Sequence, residues 1–140
     1  MKKLVCLKKK IEKIIKNTLE WLLKLKPDAD EALQIAALAH DIERAIEKRK
    51  VKRKDYKDYD EFKNAHALNS ANISLEIMKE YNVSTELTDD VFGLIRLHET
   101  GGSMRVNILR GADGISFFHP ISCASTNYVP SILLASHRGC

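Results

Sequence analysis

The sequence predicts an all-α protein, a bundle of about five helices with an irregular C-terminal tail. Three observations carry this. Leu, Ile and Ala dominate the apolar residues and aromatics make up only 6% of the chain, a composition that favours helix over sheet. Apolar residues recur at three- and four-residue spacing through most of the chain, the period of one helix face. Pro27, the Gly101-Gly102 pair, and Asp or Ser before apolar runs cut that pattern into segments of helix length.

The first helix is expected over 4–25, where Ile11, Ile14 or Ile15, Leu19, Leu22 and Leu25 form a stripe. Pro27 ends it. Asp28, with Glu31 three residues on, reads as a capping-box-like start. The second helix then runs to about residue 47, with Leu33, Ala36, Ala37 and Ile42 on one face. Seven of the ten residues in 48–57 are Lys or Arg; like charges at that density predict a solvated loop. Asp60 suits the cap of a third helix, about 61–81, which carries His66. "NVSTELTDD" is a turn and a new start. The fourth helix spans 86–98, and its stripe of Leu87, Val91, Leu94 and His98 puts His98 on the buried side. In "ETGGS", Gly101 and Gly102 suit positive φ and Ser103 caps a fifth helix over 104–118. There Leu109, Ala112, Asp113, Ser116 and Phe117 lie on adjoining stripes. No Asp, Glu or Lys follows Asp113. Residues 119–140 are read as an irregular tail beyond a helical domain of 1–118.

Composition excludes several classes. A chain of 140 residues, 44% apolar and 30% charged, fits one soluble domain. No run of about 18 apolar residues is present, so no membrane span is expected. In "MKKLVCLKKKIEK" the apolar stretch is four residues before three more lysines, too short for a signal peptide, so the expected location is cytoplasmic. Cys6, Cys123 and Cys140 are odd in number, far apart and without a CxxC; neither a disulfide framework nor a structural zinc site is expected. Residues 1–58 carry 17 Lys and Arg against 10 Asp and Glu, and the remainder 6 against 9. The basic half suits phosphates or nucleic acid.

The informative residues are polar ones on apolar stripes: His40, Asp41, His66, His98 and Asp113. Burying each alone costs roughly 1–3 kcal/mol for a neutral group and far more for a carboxylate. A shared cation satisfies them together. Imidazole and carboxylate suit Mn²⁺, Fe²⁺, Ni²⁺, Co²⁺ or Zn²⁺, and Mg²⁺ less well. Neighbours on a helix diverge by about 100°, so His40 and Asp41 approach one metal from two sides, or Asp41 bridges two. Such a metal lowers the pKa of bound water and supplies a nucleophile near neutral pH.

These segments resemble the HD-domain superfamily of metal-dependent phosphohydrolases. "QIAALAHDIERA" is similar to its helix with paired His-Asp. "FKNAHALNSANISLEIM" and "VFGLIRLHETGG" are similar to the helices that add histidines in two-metal members, and "ILRGADGISFF" to the helix with the closing Asp. The resemblance covers about residues 14–118 and implies an all-α bundle. It implies that His40, Asp41 and Asp113 bind a first metal, and that His66 and His98 join Asp41 at a second or contact a substrate phosphate. One departure stands out: the family pattern has an earlier His on the first helix, near Ile14 here, and no His precedes His40.

The expected function is therefore hydrolysis of a nucleotide or other small phosphorylated substrate, with a divalent metal as cofactor. His40, Asp41 and Asp113 are the catalytic residues. Arg44, Lys48, Lys52, Arg53 and Arg96 are candidates for the substrate phosphate. Two alternatives remain: a catalytically degenerate HD-domain protein with a binding or regulatory role, and a nucleic-acid binder using the basic loop 48–57 with Tyr56 and Tyr59 nearby.

Overall fold

The computed structural model describes residues 16–118, and throughout them the chain is helices and turns with no strand. The expected helix over 4–15, the three cysteines and the expected tail over 119–140 lie outside the described residues. Helix α1 occupies 16–25. It is followed by α2 (Glu31–Ala39), α3 (Tyr59–Glu80), α4 (Thr85–Leu97) and α5 (Met104–Phe118). Short 3-10 turns cover Ile42–Ala45 and Arg53–Asp55. The all-α bundle is thus observed. No described helix is long and apolar enough to cross a membrane.

The core follows the apolar stripes. Leu22 of α1, Leu33, Ala36 and Ala37 of α2, Val91, Leu94 and Ile95 of α4, and Val106, Leu109 and Ala112 of α5 share one buried cluster. Full burial of a Leu or Ile such as Leu33 or Ile95 stabilises the fold by roughly 1.5–3 kcal/mol. Alanines on α2 let α4 approach closely, and α4 packs on both α2 and α3. At the other end of the sequence, Asn17 donates to the Ser116 carbonyl at 2.8 Å and Thr18 Oγ1 meets Ser116 Oγ at 3.0 Å, fastening α1 to α5.

Several boundaries differ from expectation, each for a local reason. Asp28 does not cap α2. Asp30 does, its carboxylate accepting from Leu33 N at 2.9 Å, while Asp28 pairs with Lys26. Asp58, not Asp60, caps α3 and accepts from Asp60 N. Ser84 caps α4, accepting from Leu87 N, and Ser103 accepts from Val106 N ahead of α5, as expected. Phe117 is not on a buried stripe; it is 80% exposed.

The largest correction is to α2. It does not continue to residue 47 but stops at Ala39, with His40 as C-cap. Asp41 takes φ −107°, ψ 18°, the sparsely allowed bridge region, and a 3-10 turn follows. This changes which side chains face inward. Glu43 is buried, whereas Ile42, expected on the core face, is only partly buried. The basic stretch 48–57 is exposed, as expected, but it is tied down. Arg49 makes two bonds to Glu76, at 2.6 and 2.9 Å.

Candidate metal centre

Four helices and the turn after α2 bring polar groups together. His40 comes from the end of α2, Asp41 and Glu43 from the turn after it, His66 from mid-α3, and His98 with Glu99 from the end of α4. Asp113 comes from α5. His40, His66 and His98 are 1–3% exposed. The His40 and His98 ring centroids are 5.1 Å apart, and those of His66 and His98 5.8 Å.

His40 shows why something positive belongs here. Its Nδ1 donates to the Ala37 carbonyl at 2.9 Å. A neutral ring then presents a bare Nε2 lone pair, and that atom faces Asp113 Oδ1 at 3.0 Å and Asp41 Oδ2 at 3.5 Å. A lone pair against two carboxylates is repulsive unless a proton or a cation lies between them. Burial opposes protonation of His40, but the Asp41 and Asp113 carboxylates outweigh it and raise the ring to about 9. The same electrostatics that favour a proton there favour a divalent cation.

His66 is held at both nitrogens. Nδ1 meets Glu43 Oε1 at 2.5 Å and Nε2 meets Asp41 Oδ1 at 2.8 Å. Burial again opposes protonation, and the two carboxylates raise the ring. Asp41 therefore offers one oxygen toward His40 and the other toward His66, the placement of a bridging carboxylate. Burial pushes its pKa up, but His40, His66 and Arg44 outweigh this and hold it well below the usual carboxylate range.

His98 supplies the test of whether a cation fits. Its Nδ1 donates to the Ile95 carbonyl at 2.5 Å, and its buried Nε2 has no hydrogen-bond partner among the described residues. Glu99 Oε1 is 3.4 Å away but not aligned to bond. An orphaned buried acceptor usually signals a missing partner. Among the described residues, two groupings have one donor atom per residue within 4.8 Å of each other: His40, Asp41 and His98, and His66, His98 and Glu99; the expected ligand Asp113 is in neither, although it contacts His40. Imidazole and carboxylate donors at that spacing fit a first-row divalent ion.

Two site residues were not in the expected ligand set. Glu43 is 1% exposed. Its carboxylate accepts from His66, from Asn69 Nδ2 at 2.5 Å and from Val51 N at 3.4 Å. A carboxylate on the outer nitrogen of a metal-ligating histidine fixes its tautomer. Glu99 follows His98 directly, and its other oxygen lies 3.2 Å from Lys63 Nζ. Burial pushes the Glu99 pKa up, yet the His98 ring, when it carries a proton on Nε2, and the Lys63 ammonium hold it down to about 2. The break in α2 hid Glu43 from a helical reading. For Glu99 the only signal was adjacency to His98.

The expected phosphate-binding residues are spread out. Arg44 is exposed, with Nε 3.9 Å from Asp41 Oδ1. Lys48 and Lys52 are exposed, and Arg53 is exposed and bonds the Tyr56 carbonyl. Their loop is nonetheless joined to the site, since Asn69 Nδ2 also bonds the Arg49 carbonyl at 2.6 Å. Arg96 is two residues from His98, hence on another face of α4. It lines a groove of 450 Å³ with Asn64, Ala65, Leu68, Leu97 and Thr100, none of them a candidate ligand.

A family model described as a domain of unknown function (DUF4202) matches residues 9–122. No curated protein and no solved structure matches the chain.

Proposed function

The chain belongs to the DUF4202 family, and we propose that it is a divalent-metal-dependent phosphohydrolase acting on a nucleotide or other small phosphorylated substrate. The observation that carries this reading is the meeting of His40 Nε2 and Asp113 Oδ1 at 3.0 Å, with the Nδ1 proton already committed to Ala37. That geometry leaves the Nε2 lone pair facing the Asp113 and Asp41 carboxylates, at 3.0 and 3.5 Å. The order of the His-Asp pair, two further histidines and a closing Asp resembles HD-domain phosphohydrolases, and supports the same reading.

When bound, a divalent cation supplies a Lewis acid and a water of lowered pKa. The chain's own residues do the rest. His40, Asp41 and Asp113 would hold an ion, and Asp41 also contacts His66 through its other oxygen. Glu43 keeps the His66 Nδ1 proton in place, so Nε2 remains the donor atom. Arg44, exposed beside Asp41, is placed to meet a phosphate oxygen.

Loading the purified chain with Mn²⁺ or Co²⁺ and following hydrolysis of an aryl phosphate tests the proposal. Both His40→Ala and Asp41→Ala are expected to lower turnover by more than about a hundredfold, beyond the 10–100-fold typical of outer partners. Turnover unchanged in both variants would refute it. The absence of any His before His40 favours a second reading, a metal- and phosphate-binding protein without turnover. Tight binding of Mn²⁺ and phosphate with no hydrolysis would select it.

A further inference from the structure

Lys63 and Glu99 form an ion pair at the edge of the centre that the metal reading leaves without a role. Lys63 lies one turn before His66 on α3, and the pair measures 3.2 Å. Neither residue is strongly exposed, at 29% and 19% of the side chain. The other Glu99 oxygen lies 3.4 Å from the orphaned His98 Nε2. One carboxylate thus stands between an ammonium and a buried, unpartnered imidazole nitrogen.

His98 belongs to both candidate groupings, but Nδ1 is spent on Ile95 and Nε2 has a single lone pair. It can serve one ion at a time. His40 Nε2 already faces two carboxylates, Asp113 Oδ1 at 3.0 Å and Asp41 Oδ2 at 3.5 Å. On the other side, Glu99 is the carboxylate that falls in one grouping with His66 and His98. The geometry therefore assigns His98 to the His66 side. Resting on the metal reading above, we propose that Glu99 ligates a second cation together with His66 and His98, and that this ligation frees Lys63 to bind a phosphate oxyanion. Without the cation, Lys63 and Glu99 sum to zero charge. With it the trio carries two positive charges, and an anion is the group that neutralises them. Tyr59 keeps the freed ammonium nearby, since its ring centroid is 5.6 Å from Lys63 Nζ.

The experiment uses the full chain and measures Mn²⁺ binding by calorimetry, then inorganic phosphate binding to the apo and Mn²⁺-loaded protein. Wild type is expected to take two Mn²⁺ per chain, and phosphate only when loaded. Glu99→Gln is expected to lose one Mn²⁺ or weaken it at least about tenfold, and Glu99→Asp, which keeps the carboxylate, to recover part. Lys63→Met is expected to bind Mn²⁺ about threefold more tightly, because a competing cation is gone, while phosphate binding falls at least about tenfold. These opposite signs separate exchange from a structural role. If Lys63→Met weakens both, or Glu99→Gln binds two Mn²⁺ as wild type does while His40→Ala does not, the Glu99–Lys63 assignment is overturned and the metal reading stands. If wild type binds no Mn²⁺, both fall.

Discussion

Replacing Glu43 by Gln exchanges one oxygen for an NH₂ and leaves the shape of the side chain intact. In the wild type both carboxylate oxygens accept: one from His66 Nδ1, the other from Asn69 and Val51. Gln has one acceptor. Turned toward Asn69, it points its NH₂ at His66 Nδ1, and the ring must move its proton to Nε2 to accept. That proton then lies where a metal would bind. Three charge-assisted bonds, the one from Val51 long at 3.4 Å, become neutral ones, roughly halving each. The expected loss is about 2 kcal/mol, a fall in Tm of about 6–8 °C for a domain of this size. Metal affinity is expected to fall about 10–100-fold. Calorimetry with Mn²⁺ reads the affinity, and long-range ¹⁵N correlation spectra of the apoprotein read the His66 tautomer. A variant that loses stability but binds Mn²⁺ within threefold of wild type would refute the reasoning, since Glu43 would then support the fold without setting the ligand.

Two further outcomes follow from the charges. His40 is raised from 6.5 to about 9 in the folded chain, so its stabilising contribution is full below about 6.5 and fades as pH rises through 9. Metal-free protein in chelator is expected to lose up to about 3 kcal/mol between pH 6.5 and 9.5 by urea denaturation, while Mn²⁺ affinity rises over the same range; a urea midpoint constant across it would contradict the paired-imidazolium account. Arg105 joins Asp30 at the α2 cap to Asp90 on α4, at 2.8 and 2.7 Å, and none of the three belongs to a candidate ligand grouping. Arg105→Met is expected to cost about 1 kcal/mol, because these groups are half exposed, seen as a Tm about 3–5 °C lower with Mn²⁺ binding unchanged; a matching loss of Mn²⁺ affinity would show that stability and site are not separable.

Much of this molecule can be read from its amino acids, and the parts that cannot have identifiable causes. Helices α3 to α5 fall within two residues of the spans that period and punctuation predict, because their stripes are long and their starts carry Ser or Asp. Gly101 and Gly102 take φ 78° and 129° as their turn demands. The candidate ligands converge because periodicity correctly placed His66 and His98 on buried faces. The end of α2 was not legible. "AALAHDIERAIEK" keeps helical spacing through residue 46, and nothing local marks the break. Tertiary demands decide it: leaving the helix at Asp41 lets one carboxylate reach both His40 and His66. That decision buries Glu43 in place of Ile42, so the contact of Glu43 with His66 was invisible to a face-by-face reading. Lys63–Glu99 was hidden for another reason. It joins two helices, and single-sequence spacing carries no information across them.

The fastening of α1 to α5 has a bearing on how the molecule assembles. Thr18 meets Ser116 across 98 residues, and His40 meets Asp113 across 73. On α5 the two contact residues are one turn apart. Neighbouring elements such as α3 and α4 associate early because little chain must be closed, whereas contacts this remote carry a larger entropic penalty. The arrival of α5 is thus expected to be a late event, and it brings the closing Asp113 with it. An ion would meet an unfinished set of donors until the bundle shuts, so its natural part is to lock the finished fold, and not to seed it.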